Sequence, residues 1–129
     1  MLVVNGGAAA IDFYAAALDA VELSRTPGED GRPMHAALRI GDSTVFQSDD
    51  FPELCGGVAR APAGPACVTR HLCAPDVDAA MARAAAAGAA VTMPPADVFW
   101  GDRYGQRRDP FGHAWSFSRK LAAAHPQAA

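Results

Sequence analysis

Apolar and polar positions change their spacing several times along this chain, and each change marks an element. Leu2-Val3-Val4 is a short apolar run that Asn5-Gly6-Gly7 cuts off. Over 8–18, Ile11, Tyr14 and Leu18 recur at helical spacing among alanines, which predicts a helix with one buried face. Residues 21–26 read as extended, and Pro27-Gly28-Glu29-Asp30-Gly31 as a turn. Strands over 34–40 and 43–48 meet at Gly41-Asp42 and form a hairpin. Pro52, Gly56, Gly57, Pro62 and Gly64-Pro65 make 49–66 a linker loop. A strand follows over 67–74. A helix then starts at Pro75-Asp76, capped by Asp76 or a neighbour, and stops at Gly88, which suits a left-handed position. Residues 91–93 are extended and Pro94-Pro95 interrupts them. Segments 98–103 and 106–109 flank a turn at Tyr104-Gly105, Asp109-Pro110-Phe111-Gly112 is a second turn, and 114–119 is the last strand. The closing AAAHPQAA, with His125, reads as a frayed tail.

The order strand, helix, three strands thus occurs twice, displaced by about 70 residues. This predicts an α+β fold of two βαβββ modules, about 2–48 and 67–119, joined by 49–66 into a single domain over 1–129. Each half alone would leave one sheet face uncovered, so pairing closes the core.

Composition narrows the function. The chain has 129 residues, half of them hydrophobic, and a net charge of −3. That is enough apolar material for one core. The 11 Lys and Arg are scattered, which argues against a nucleic-acid partner. No apolar run reaches the ~18 residues of a membrane span, and the first residues lack a signal-peptide pattern. Three cysteines, an odd number, read as reduced thiols of a cytoplasmic protein.

Candidate chemistry gathers in two places. On the 67–74 strand, Cys67, Thr69, His71 and Cys73 share a face. Cys67 and His71 stand about 13 Å apart along the strand, too far to share one metal; His71 with Cys73 could. His71 is either a polar group lining a concave site or an ordinary sheet histidine. In FWGDRYGQRRDPFGHAW, residues 99–115, Trp100 and Tyr104 are rim aromatics or cross-strand packing partners. Trp115 and Phe117 alternate with Ala114, Ser116 and Ser118, which puts the bulky face under a helix and the small face toward a groove. Arg103, Arg107 and Arg108 could hold an anion, with Asp102 and Asp109 near enough to neutralise them. His35 reads as a strand histidine and His113 as part of a turn. Asp49, Asp50 and Glu53 look solvated. No nucleophile elbow and no phosphate-cradling loop is present.

AIDFYAAAL (10–18), MHAALRIGDS (34–43), PDVDA with the later AAG (75–88) and FWGDRYGQRRDPFGHAWS (99–116) together resemble the glyoxalase/bleomycin-resistance/dioxygenase superfamily, the vicinal oxygen chelate superfamily, in its PhnB-like branch. The resemblance covers nearly the whole chain. It implies paired βαβββ modules forming a cupped mixed sheet with a concave site, and grooves commonly built between two chains. It also implies metal-ligand positions near the first strand, near Phe46 or Gln47, at Thr69 and at Ser116. A cation needs several carboxylate or imidazole donors converging on one point. Thr69, Ser116 and Gln47 do not supply them, so neither a metal nor another cofactor is expected.

The function expected is metal-independent binding of a small, partly aromatic ligand in a concave groove, as in antibiotic sequestration. The ligand-binding set is Trp100, Phe46, Gln47, Thr69, His71, Ser116, Tyr104 and Arg103, with no catalytic residue. A homodimer is expected too, because exposed sheet edges need cover. The alternatives are a metal-dependent glyoxalase- or dioxygenase-like enzyme on a small carbonyl or diol, and a regulatory domain without a ligand.

Overall fold

Strand alternation decides which side of each sheet is buried. A computed structural model describes residues 1–54, 56–57, 59–63 and 68–121. Cys67 and the tail with His125 lie outside the described residues. The first half runs β1 (Leu2–Val4), α1 (Gly7–Leu18), β2 (Val21–Pro27), β3 (Pro33–Ile40) and β4 (Ser43–Asp49). The second repeats the order with β5 (Thr69–Cys73), α2 (Val77–Ala86), β6 (Ala90–Val98), β7 (Asp102–Arg108) and β8 (Ala114–Lys120). The sheets are ordered β1-β4-β3-β2 and β5-β8-β7-β6. In each, the outer first strand runs parallel to its neighbour and the other pairs are antiparallel.

One face of each sheet is apolar and meets a helix. Leu2, Val4, Ala36, Leu38 and Ile40 pack with Ile11 and Tyr14 of α1, and Trp115 and Phe117 with Met81 and Ala84 of α2, in one continuous core. The helices also pack on each other. The layers are therefore sheet, helix pair, sheet, and the second face of each sheet points away from the core. Gly105 of β7 lies directly beneath Met81; a Cβ there would stand 2.9 Å from the methionine methyl, so the Met81 side chain would have to shift to admit a larger residue.

The helices start differently. Asp76 caps α2 by accepting from the Ala79 N–H at 3.0 Å. Gly6 offers α1 no side chain, and Asp49 at the end of β4 replaces it, accepting from the Gly6 and Gly7 N–H groups at 3.0 and 2.9 Å. Asp49 and Asp50 are thus buried, contrary to the solvated reading; Asp50 accepts from the Arg60 and Ala61 N–H groups. Glu53 is exposed and pairs with Arg32.

Two further expectations change. Strand β6 runs through Pro94-Pro95 because it is the edge strand, where a missing N–H costs no ladder bond, and its register shifts there. Tyr104-Gly105 lies inside β7, and the chain reverses instead between Val98 and Asp102, where Gly101 takes φ 91°. The Asp109–Gly112 turn is as expected. Its Asp109 does not neutralise an arginine. One carboxylate oxygen accepts from the Phe111 and His113 N–H groups, and the other from the Tyr14 hydroxyl (2.5 Å) and the Trp115 indole (2.8 Å). Burial first, then the Asp109 charge, pushes the Tyr14 phenol far above its ordinary pKa.

Candidate functional site

The outward face of the β5-β8-β7-β6 sheet carries the densest chemistry. Register places His71 beside Ser116, Ser116 beside Gln106, and Ser118 beside Tyr104. The His71 ring spans two hydroxyls: Nδ1 lies 2.7 Å from Ser116 Oγ and Nε2 lies 2.8 Å from Ser118 Oγ. A serine hydroxyl can donate or accept, so both ring nitrogens are satisfied by the two serines. Tyr104 stacks on this ring, nearly parallel, with centroids 6.1 Å apart. Gln106 Nε2 donates to the Tyr104 hydroxyl at 2.8 Å. Trp100 meets Tyr104 edge-on at 5.4 Å and donates its indole N–H to Asp102. Phe99, at 96 % exposure, extends the row past Trp100.

This face brings together Thr69, His71, Ser116 and Tyr104, with Trp100, 39 % exposed, at its edge. Phe46 is not with them. It is 49 % exposed on the outward face of the other sheet, where His35 packs on it at 5.0 Å. The helix pair separates the two faces, so the single concave surface expected from both modules does not form within one chain. Gln47 points the other way. It is fully buried on the helix side of β4 and donates to the Gly7 carbonyl at 3.0 Å. Arg103 lies on the α2 side of β7, paired with Asp78 and Asp97. Odd and even positions of a strand cannot share a face, so neither residue belongs to the His71 surface. Arg107 donates to the Ala89 carbonyl. Trp115 is core, as its alternation with Ser116 implies.

Sequence reasoning missed Gln106. The signal was present, since Gln106 stands two residues from Tyr104 and the sheet period is two. The turn assigned to Tyr104-Gly105 hid it.

The donor set does not fit a metal. Both nitrogens of His71 are engaged, its neighbours are neutral hydroxyls, and Gln47 lies on the far side of its sheet. Among the described residues no three His, Cys, Asp or Glu side chains converge. No described helix is long and apolar enough to cross a membrane.

Comparison with known proteins agrees with this architecture. The family model described as Glyoxalase/Bleomycin resistance protein/Dioxygenase superfamily matches residues 1–117. The protein Mb0911c of Mycobacterium bovis is 53 % identical over 122 residues, covering 93 % of this chain and 80 % of its own. The crystal structure of TioX from Micromonospora sp. ML1 superimposes with a TM-score of 0.73 at 30 % identity, over 93 % of this chain and 94 % of that one. The structure of the Arabidopsis thaliana At5g48480 product gives 0.75 at 29 % identity, over 92 % and 94 %. The chain belongs to the glyoxalase/bleomycin resistance protein/dioxygenase superfamily.

Proposed function

We propose that this protein binds a small, partly aromatic molecule on the outward face of β5-β8-β7-β6 without a resident metal, and that it acts by sequestering the molecule, as an antibiotic-resistance protein does. One observation carries the reading. His71 is held by two serines beneath Tyr104, so the face presents a fixed ledge of rings rather than a free imidazole. A planar ligand stacks on such a ledge in offset or edge-on geometry. The family description, which includes bleomycin resistance proteins, supports the same class. We also propose a homodimer. The two outward faces of one chain point apart, and a second copy can lay its Phe46 and His35 opposite the His71 face and turn a ledge into a groove. The exposed Cys73 thiol suits the reducing cytoplasm.

The test is a thermal-shift screen against aromatic antibiotics, bleomycin among them, and against divalent metals. A true ligand at about 100 times its Kd adds about 2.7 kcal/mol of stability. A shift from an aromatic compound, with binding weakened by His71→Ala, supports the reading. Stabilisation by a stoichiometric metal alone would overturn it in favour of the metal-dependent enzyme. Light scattering at tens of micromolar reads the dimer directly, and a monomer there would refute it.

A further inference from the structure

A concavity adjoins the ring ledge at His71 but is built mainly of other residues, and the pseudo-repeat explains it. A cleft of about 630 Å³ opens between the modules where α1 stops and α2 begins. Leu18, Ile40, Leu72 and Ala80 supply apolar walls; Arg83 and Asp42 stand among the charged groups lining it. Its volume is that of an ordinary small-molecule site. His71, Leu72 and Cys73 of β5 line it together with the helices and the β3–β4 turn.

The buried positions of the two helices correspond: Gly7 with Val77, Ile11 with Met81, Tyr14 with Ala84, each about 70 residues on. The same displacement sets Phe13 against Arg83, and the β7–β8 turn against the β3–β4 turn. At the first end the longer turn packs Phe111 on Phe13 and Tyr14, with centroids 5.9 and 6.1 Å apart, and the Tyr14 hydroxyl donates to Asp109. At the second end the corresponding residues are Gly41, Arg83 and Ala84. Three rings are missing, and the turn cannot supply one cheaply, because Gly41 holds φ 62°.

We infer that this cleft is a binding site for a phenol-type molecule, whose ring takes the place that Phe111 and Tyr14 fill at the other end. The apolar walls take the ring. Arg83 makes no ion pair among the described residues, and a guanidinium stacks on an aromatic face. Asp19 and Asp42 line the cleft and can accept the phenolic hydroxyl, as Asp109 accepts that of Tyr14. The inference does not rest on the ring ledge being a ligand site.

The test is a phenol titration of the full chain followed by amide NMR. Saturable shifts are expected at Leu18, Gly41, Ala80 and Arg83. Ala79→Trp fills the cleft from an exposed position on its α2 wall, and should weaken phenol binding at least tenfold without lowering the melting temperature. Arg83→Met keeps the length, loses the guanidinium and should weaken binding severalfold. Shifts confined to Trp100 and Tyr104, or no saturable shift, would overturn the inference. So would cleft amides that move with protein concentration alone, since a second copy would then fill the space.

Discussion

Helices α1 and α2 occupy equivalent places and are secured in unlike ways. Helix α2 is capped by its own Asp76 and covers its sheet with small side chains and Met81. Helix α1 borrows Asp49 from β4 for its first turn, and Asp109 and Trp115 from the other module for its Tyr14. The same topology is thus held by contacts within its own module at α2 and in part by contacts from the other module at α1. A fold repeat constrains where side chains point, but not which of them carry the stability.

Perturbing the distant contacts should cost most. Trp115→Ala removes a buried ring packed on Tyr14 and a donor to Asp109, and should destabilise by about 3–5 kcal/mol in urea unfolding. Trp100→Ala, at the outer edge of the same sheet, should leave the melting temperature nearly unchanged. It should weaken binding of the best ligand from the screen about tenfold, or about 1.4 kcal/mol. The opposite pattern would mean that core and ledge are assigned to the wrong tryptophans.

Next come the caps. Asp49→Ala should cost about 2 kcal/mol and Asp76→Ala about 1 kcal/mol, the upper and middle of the usual range, because only Asp49 is buried and serves two N–H groups. Equal losses would erase the contrast between the helices.

Tyr14→Phe sharpens it through pH. The folded state holds the phenol neutral, above its ordinary value near 10, so this contribution is complete below about pH 10 and is lost as pH rises further. The variant should lose about 1–3 kcal/mol at neutral pH, and its stability should fall less steeply above pH 10 than that of the parent.

The smallest effect is expected at Arg32. Its hydrogen bonds hold the Asp30 and Glu53 carboxyls below their usual range. Their contribution is present above about pH 4 and is lost as pH falls below it. Arg32→Ala removes the guanidinium but keeps the backbone N–H that acts most on Asp30, so it should flatten that acid limb in part, chiefly through Glu53, read by melting temperature against pH.

The elements that were legible in the sequence are those whose signal is local. Helical spacing of Ile11 and Tyr14, Asp76 before α2 and Gly41-Asp42 in its hairpin each fix their own surroundings. What was hidden depends on neighbours distant in sequence. Pro94-Pro95 looked like a break because nothing local says that β6 is an edge. Tyr104-Gly105 looked like a turn because the close packing on Gly105 comes from Met81 and Pro95 on other elements. Asp49 looked solvated because its partners begin a helix some 42 residues earlier. The ring ledge was half visible: alternation gave the faces of β5 and β8, while the position of Phe46 behind the helices is a matter of how the modules pack.

The Tyr14–Asp109 hydrogen bond also sets a schedule. Its partners lie 95 positions apart. At ordinary translation rates of ~5–20 residues per second, the ribosome needs roughly 5–20 s to reach Asp109 after Tyr14 is made. For that interval Phe13 and Tyr14 have neither Phe111 nor Trp115 to cover them. The newborn chain carries an uncovered pair of aromatic rings whose lifetime is set by the speed of synthesis, and slowing translation between those two codons lengthens it.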